Sequence, residues 1–269
     1  MYSNKYMNSE PFETQDLKLC GLITIVGKSG SGKTTLLRSI INKLYSQGLY
    51  KCYVFSSTAD IYRTTDYDFA APENVRKINM KLIKKIKLKQ EVIVKKASTN
   101  KLIEPRKIAI VLDDFIGDSN ANLNNKSTSI ISQLAVSGRH YKITLIVLTQ
   151  HLNKAPPVIR LQSNYIFVTK TNMSTITECI FPLQTQYLSK KELWDVYNKH
   201  TNTRYSSMMI QDVDPYADNI KLLQPAKKIN FIDDPIASAI IADAIENQSS
   251  FDSEELKSDQ TDDPDCSDN

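Results

Sequence analysis

The chain has 269 residues, of which 41% are hydrophobic and 24% charged, ordinary values for a globular protein with one substantial core. No apolar run is long enough to span a membrane, and the polar, partly acidic N-terminal segment has no secretory signal, so neither membrane insertion nor secretion is expected. The four cysteines are scattered without a C-x-x-C pair, which excludes a disulfide framework and the usual zinc sites.

The net charge of +4 combines two regions of opposite sign. Residues 249–269 carry eight acidic side chains against Lys257, whereas the preceding 248 residues carry 33 basic and 22 acidic ones, a net charge of +11. High charge with little apolar content predicts a disordered tail. The basic body suits a polyanionic partner, but charge alone does not select one.

The stretch "GLITIVGKSGSGKTTLLRSI" (Gly21–Ile40) predicts a buried strand, a phosphate-binding loop and a helix in succession. An apolar, β-branched run precedes the loop, and apolar residues at helical spacing follow it until Gly48. The pattern G-x-x-x-x-G-K-[ST] is supplied by Gly27, Gly32, Lys33 and Thr34.

This loop is expected to bind ATP with Mg2+. Its glycines allow consecutive N–H groups to point at phosphate oxygens, and the start of the helix favours the same anion. The Lys33 ammonium can reach the β- and γ-phosphates, and the Thr34 hydroxyl can ligate Mg2+. The expected nucleotide-binding set is Gly27, Lys28, Ser29, Gly30, Ser31, Gly32, Lys33, Thr34 and Thr35.

The segment "KIAIVLDDF" (Lys107–Phe115) predicts a buried strand that delivers two carboxylates to its C-terminal edge. Asp113 is expected to hold the Mg2+ shell, as a Walker B acid does, and Asp114 to orient and deprotonate the attacking water. The alternative is an Asp pair that caps the next helix.

A third apolar strand, "KITLIVLTQ" (Lys142–Gln150), also ends in polar residues. If it lies beside the strand that carries Asp113, Gln150 can touch the γ-phosphate or the attacking water. The alternative is a polar residue that merely begins a loop.

Further elements follow from hydrophobic spacing. Strands are expected at Lys51–Ser57 and Asn164–Lys170, and a terminal hairpin from "SSMMIQDV" and "IKLL" around "DPYADN". Helices are expected through Ile130, Ile131 and Leu134 to near Gly138, at Ile176–Phe181, and at Leu183–Tyr197 with Trp194 in the core.

The segment Arg76–Lys107 holds twelve basic residues and two acids. The spacing of Leu82, Ile83, Ile86, Val92 and Val94 predicts a helix, followed by a short extended piece. Two interpretations remain open: a solvated helix face, or a surface that tracks a polyphosphate.

Four segments together resemble genome-packaging ATPases of the FtsK/HerA superfamily, the type found in poxviruses, giant DNA viruses and virophages. They span about Gly21 to Lys170 and read "GKSGSGKTT", "IVLDDF", "SGRHYKITLIVLTQ" and "PPVIRLQSNYIFV". The resemblance implies an α/β P-loop NTPase fold of the additional-strand, RecA-like type, with a mainly parallel central sheet flanked by helices.

The resemblance also implies a function and partners. Subunits would form a homo-oligomeric ring, a pentamer or hexamer, around double-stranded DNA, and ATP hydrolysis would drive that DNA into a preformed capsid. Capsid or portal-vertex proteins would be partners, and the protein would act in the virion or in the viral factory of the host-cell cytoplasm.

Residue by residue, the resemblance assigns phosphate binding to Lys33, Mg2+ to Thr34 and Asp113, and the sensor position to Gln150. Asp114 takes the catalytic position, where cellular relatives generally have Glu. Arg139 and Arg160 are candidates for an arginine that acts on the neighbouring subunit's nucleotide, with Arg160 favoured. Alternatively, Arg139 caps the preceding helix, and Arg160 pairs with a surface acid or a DNA phosphate.

The expected organisation is an N-terminal arm (1–18), a P-loop ATPase domain (19–232), and a C-terminal helix with the acidic tail (233–269). A helicase or conjugation-type pump would share the core chemistry and stays the main alternative. A P-loop small-molecule kinase usually needs a lid with clustered arginines, a GTPase-like switch needs an N-K-x-D motif, and an ABC protein needs an LSGGQ-like signature. These three classes are disfavoured.

Overall fold

The computed structural model describes residues 10–12, 17–62, 65–100, 104–115, 127–183, 188–211 and 220–225. The predicted C-terminal helix, the acidic tail and the turn "DPYADN" lie outside the described residues.

The described strands form one mixed sheet in the order β3-β2-β4-β5-β1-β6-β7-β8. The first six are parallel, and β7 and β8 continue the sheet antiparallel, which confirms the predicted terminal hairpin pairing. The strands are β1 (Leu22–Val26), β2 (Leu49–Ser56), β3 (Val75–Arg76), β4 (Lys107–Asp113), β5 (Ile143–Thr149), β6 (Tyr165–Val168), β7 (Ser207–Gln211) and β8 (Ile220–Leu223).

Helices connect these strands and cover both faces of the sheet. The α-helices are α1 (Lys33–Ser46), α2 (Ala59–Tyr62), α3 (Met80–Thr99), α4 (Ser127–Ser137), α5 (Pro157–Gln162) and α6 (Lys190–Thr201). A π-helical segment covers Thr175–Ile180, and 3-10 turns cover Pro72–Asn74, Gly138–Tyr141, Leu152–Lys154 and Phe181–Leu183.

The position of β5 decides the fold class. It lies between β1, which leads into the phosphate loop, and β4, which ends in Asp113. Its register places Thr149 beside Val26 and Leu148 beside Asp113, so three strand ends meet at one edge of the sheet. This inserted strand confirms the additional-strand P-loop fold.

Two hydrophobic cores lie on opposite faces of the sheet, which explains why the central strands have apolar residues on both faces and not only at alternate positions. On one face α1 packs with Leu36, Leu37, Ile40, Ile41 and Leu44. On the other face α3, α4, α5 and α6 bury Ile83, Ile86, Ile131, Leu134, Ile159, Leu193 and Tyr197.

Helix α3 contains all five apolar residues that predicted it and continues to Thr99, where the Glu91 carboxylate pairs with Lys95 one turn further along the helix. The predicted start of the last described helix was wrong. Helix α6 begins only at Lys190, because the Ser189 hydroxyl and the Glu192 side chain form a capping box with each other's backbone N–H.

The chain before β1 packs against the domain. Phe12 and Leu17 are buried in the α1-side core, and Glu10 forms a parallel bridge with Leu223 of β8. Trp194 is partly buried and packs against the other core, with its ring centroid 5.7 Å from that of Tyr197.

Candidate nucleotide-binding and hydrolysis site

The phosphate loop links the end of β1 to the start of α1. Gly30 and Gly32 have φ angles of 69° and 93°, in the left-handed region that glycine adopts without steric cost. At Gly27 the constraint is space, because a Cβ there would collide with the Thr169 hydroxyl. The glycines of the motif are therefore required by this backbone path.

Lys33 is the first residue of α1 and is 9% exposed. Its Nζ donates to the carbonyl oxygens of Gly27 (3.0 Å) and Lys28 (3.1 Å), which holds the ammonium against the loop. Burial lowers the pKa of Lys33, and the nearby carboxylates of Asp114 and Asp113 oppose that shift.

Asp113 ends β4 and is also 9% exposed. The Tyr67 hydroxyl donates to its Oδ2 over 2.6 Å and lies 3.1 Å from Oγ of Ser56, the residue that pairs with Asp113 across β2 and β4. Burial raises the pKa of Asp113 to about 6, and the neighbouring Asp114 adds to the rise, while Tyr67 and Lys33 oppose it. A cation would therefore be favoured here, because it offsets a carboxylate that has lost its water.

Tyr67 reaches Asp113 because α1 holds its loop. The Arg38 guanidinium binds Oδ1 of Asp68 through Nε (2.8 Å) and donates to the Thr65 carbonyl through Nη2 (3.0 Å). The Tyr45 hydroxyl donates to the carbonyl of Phe69 at 3.1 Å. Tyr67 was not among the predicted site residues, because no local motif marks a tyrosine whose hydrogen-bond partner lies 46 residues away.

Asp114 and Gln150 meet across the ends of β4 and β5. The Gln150 amide donates to Oδ2 of Asp114 over 3.1 Å, and the Asp114 backbone N–H donates to the Leu148 carbonyl over 3.3 Å. Asp114 has a φ of 49°, a left-handed conformation that costs free energy for a residue with a side chain. The turn aims its carboxylate toward β5 rather than along the strand.

The end of β6 supports the loop from the other side. Oγ of Ser31 lies 2.7 Å from Oγ1 of Thr169, and the Lys28 N–H donates to the Lys170 carbonyl over 2.8 Å. From α6, the Tyr197 hydroxyl donates to the Thr169 carbonyl and accepts from the Thr171 N–H, both at 2.7 Å. These supports were also missed, because the polar residues after β6 have no recognisable spacing.

The two candidate arginines occupy different environments. Arg160, on α5, donates through Nη1 to the carbonyls of Leu152 (3.2 Å) and Asn153 (3.4 Å). Arg139 is exposed in the 3-10 turn that precedes β5, at the opposite end of that strand from Gln150. With about 3.3 Å per strand residue, the turn lies roughly 20 Å from the subunit's own site.

The structure thus brings Lys33, Asp113, Asp114 and Gln150 to one edge of the sheet, and it does not bring Arg139 there. Within the described residues no group of three or more His, Cys, Asp or Glu side chains could hold a metal ion. One carboxylate and the Thr34 hydroxyl fit Mg2+, which usually keeps several waters and binds substrate phosphates instead of an all-protein cage. No described helix is long and apolar enough to cross a membrane.

Residues 11–214 match the family model of the poxvirus A32 protein. The chain belongs to the poxvirus A32 family. The matched range includes the phosphate loop, both carboxylates, Gln150 and both candidate arginines. An uncharacterized protein of Acanthamoeba polyphaga mimivirus is 26% identical over 175 residues, which are 61% of this chain and 59% of the relative's length.

Two solved structures share the fold of this A32-family member. The genome packaging NTPase B204 of Sulfolobus turreted icosahedral virus 2, in complex with ATP-γS, aligns over 78% of this chain and 100% of its own, with a TM-score of 0.53 and 16% identity. The monomeric conjugation coupling protein TcpA of pCW3 aligns over 83% of this chain and 65% of its own, with a TM-score of 0.60 and 16% identity.

Proposed function

We propose that this chain is an ATP-hydrolysing motor that moves double-stranded viral DNA into a preformed capsid. The observation that carries the proposal is the hydrogen-bonded pair Asp114–Gln150 beside Lys33 and Asp113, in a chain of the poxvirus A32 family. The similarity in fold to B204, a viral genome packaging NTPase that binds an ATP analogue, supports it.

In this proposal each residue at the sheet edge has one task. The loop amides and Lys33 bind the β- and γ-phosphates, while the Thr34 hydroxyl and Asp113 would hold Mg2+. When bound there, Mg2+ would supply positive charge to the phosphate oxygens. Asp114 takes the proton of the attacking water, and Gln150 holds that carboxylate toward β5 where the γ-phosphate would lie.

We further propose a homo-oligomeric ring, a pentamer or hexamer, in which an arginine of one subunit completes the site of the next. Arg139 suits this role because it is exposed and far from its own phosphate loop. Arg160, which sequence analysis favoured, has its guanidinium engaged by two backbone carbonyls and would first have to release them. The exposure of Arg139 and the carbonyl contacts of Arg160 together favour Arg139 as the arginine that acts between subunits.

Helix α3 is the proposed DNA-contacting surface. Its exposed basic residues are Lys81, Lys84, Lys85, Lys89, Lys95 and Lys96. Lys87 does not belong to this surface, because its ammonium lies 4.8 Å from the centroid of the Tyr141 ring and 3.6 Å from Glu91. Phosphate contacts from such a face would grip DNA of any sequence, as a packaging motor requires.

Capsid or portal-vertex partners, action in the virion or the viral factory, and the division into arm, ATPase domain and tail complete the proposal. A conjugation-type pump shares the fold, as the TcpA similarity illustrates, and family membership favours packaging over it.

ATP hydrolysis measured with and without double-stranded DNA, together with the native mass, tests the proposal. DNA-stimulated turnover by a ring-sized species is expected. A monomer whose ATPase ignores DNA would contradict the motor. Phosphoryl transfer to a small molecule would indicate a kinase instead.

A further inference from the structure

The connection between α6 and β7 lies directly on the phosphate loop. A Cβ built on Gly32 would come within 2.6 Å of Cδ1 and 3.3 Å of Cε1 of the Tyr205 ring, so the edge of that ring touches the loop where it enters α1. Tyr205 is 42% exposed, so much of the ring still faces solvent beside the loop.

The conformation of this connection is fixed by its neighbours. Tyr205 has a φ of 66°, a left-handed conformation that is uncommon for an aromatic residue. The adjacent Ser206 hydroxyl is within hydrogen-bonding distance of the carbonyls of His200 (2.9 Å) and Thr203 (2.7 Å). These bonds hold the backbone of the connection beside Gly32, where the Tyr205 ring contacts the loop.

Arg204 enlarges the same surface. Its guanidinium carbon lies 4.8 Å from the centroid of the Tyr205 ring. Among the described residues no carboxylate forms an ion pair with Arg204 that would draw the guanidinium away. The guanidinium thus lies over the Tyr205 ring, so the aromatic plane and the planar cation form one cation–π pair beside the loop.

We propose that Tyr205 and Arg204 form the platform on which the base of the bound nucleotide stacks. This inference rests on the proposed function. A triphosphate held by the loop leaves its α-phosphate near Thr34 and Thr35, so its ribose and base must extend outward from the start of α1. Purine bases stack on aromatic rings and on guanidinium planes, and neither surface requires a base-specific hydrogen bond.

The proposal separates base binding from phosphate binding, and a pair of ligands tests it. Binding of Mg–ATP and of Mg–tripolyphosphate, which has no base, is measured by calorimetry for the wild type, Tyr205→Ala and Tyr205→Phe. Loss of one stacked base predicts roughly tenfold or greater weakening of ATP binding in Tyr205→Ala. Tripolyphosphate binding should stay within twofold of the wild type, and Tyr205→Phe should bind ATP nearly normally.

Tyr50 provides a matched control. It forms a similar pair with Arg106, whose guanidinium carbon is 4.0 Å from the Tyr50 ring centroid, but it lies at the start of β2, at the other edge of the sheet. Tyr50→Ala should leave binding of both ligands unchanged.

Two outcomes would overturn the platform. Equal weakening of ATP and tripolyphosphate in Tyr205→Ala would mean that the ring only supports the loop at Gly32. Unchanged binding of both would remove Tyr205 from the site. Either result differs from failure of the proposed function, in which the wild type binds ATP but shows no DNA-stimulated hydrolysis.

Discussion

The Gln150 side chain donates its amide hydrogen to Oδ2 of Asp114 over 3.1 Å, and this bond joins two residues that directly follow neighbouring parallel strands. The carboxylate is the acceptor, so the bond fixes the position of the proposed general base. It leaves the other carboxylate oxygen of Asp114 available for a water molecule.

Asp114→Asn is expected to bind Mg–ATP like the wild type and to lose hydrolysis by about 100-fold or more, because it removes the base and keeps the shape. Nucleotide binding by calorimetry and phosphate release measure the two effects. Asp113→Asn is the comparison: it should weaken Mg2+-dependent binding. If Asp113→Asn binds normally and fails only in hydrolysis, the two roles are reversed.

Lys33→Ala should abolish hydrolysis and weaken ATP binding, because the ammonium that reaches the phosphates is gone. The substitution removes only two hydrogen bonds to loop carbonyls, and the cost of burying the charge disappears with them, so the melting temperature should change little. Lys154→Ala, which changes an exposed lysine outside the loop, is the control and should leave turnover unchanged. Near-normal turnover in Lys33→Ala would remove the loop from the mechanism.

The stability of the nucleotide-free protein should report the environment of Asp113. The pKa of Asp113 is about 6 in the folded protein, above the ordinary value of 3.8. Between these two pH values the folded state keeps a proton on Asp113 that the unfolded state releases, so the free energy of unfolding falls as the pH rises from about 4 to about 6. Asp113→Asn should therefore be more stable than the wild type at pH 7.5, by on the order of 2 kcal/mol, and the gain should vanish near pH 4. If the gain in stability is independent of pH, it does not come from the ionisation of Asp113.

Much of this fold could be predicted because its central strands are locally distinctive. β1, β4 and β5 are apolar on both faces and lead into the phosphate loop, the Asp113–Asp114 pair and Gln150, so their sequences indicate both burial and direction. The strand order, with β5 in the middle, followed from resemblance and not from the spacing of residues.

The rest of the site depends on long-range contacts that leave no local signal. Tyr67 lies on a loop whose position is set by Arg38, and Tyr197 reaches Thr169 from a helix 28 residues further on. The start of α6 does have a local signal, the Ser189-x-x-Glu192 capping-box pattern, but the prediction overlooked it and began the helix at Leu183. Nothing in the sequence of the basic segment distinguishes Lys87 from its neighbours, yet its ammonium lies 4.8 Å from the centroid of the Tyr141 ring, which belongs to another segment.

Mixed rings can identify the arginine that acts between subunits. Arg139→Ala alone should lower ATPase activity by about 1,000-fold or more. Mixing it with inactive Lys33→Ala subunits should restore activity. In a mixed ring the Lys33→Ala subunit supplies an intact Arg139 to the intact phosphate loop of a neighbouring Arg139→Ala subunit. Arg160→Ala mixed in the same way is the comparison. Rescue of Arg160→Ala but not of Arg139→Ala would assign the role to Arg160.

The salt dependence of DNA binding tests α3. Replacing Lys81, Lys84 and Lys85 with alanine should reduce the slope of log K against log salt by roughly 0.9 for each DNA phosphate that these lysines neutralise. DNA stimulation of the ATPase should fall with it, while ATP binding stays unchanged. The three exposed lysines of α6, Lys190, Lys191 and Lys199, form a control set. An unchanged slope in the α3 variant would show that Lys81, Lys84 and Lys85 are solvent-exposed lysines that do not contact DNA.

The contact between Gly27 and Thr169 also constrains how this sequence can diverge. The Thr169 hydroxyl fills the space that any side chain at position 27 would need, and it also bonds the Val26 carbonyl and Ser31. A larger residue at position 27 is thus acceptable only after residue 169 has become smaller, and that first step sacrifices hydrogen bonds that position the loop. The two positions can therefore change only in a fixed order, through an intermediate whose phosphate loop has lost hydrogen bonds.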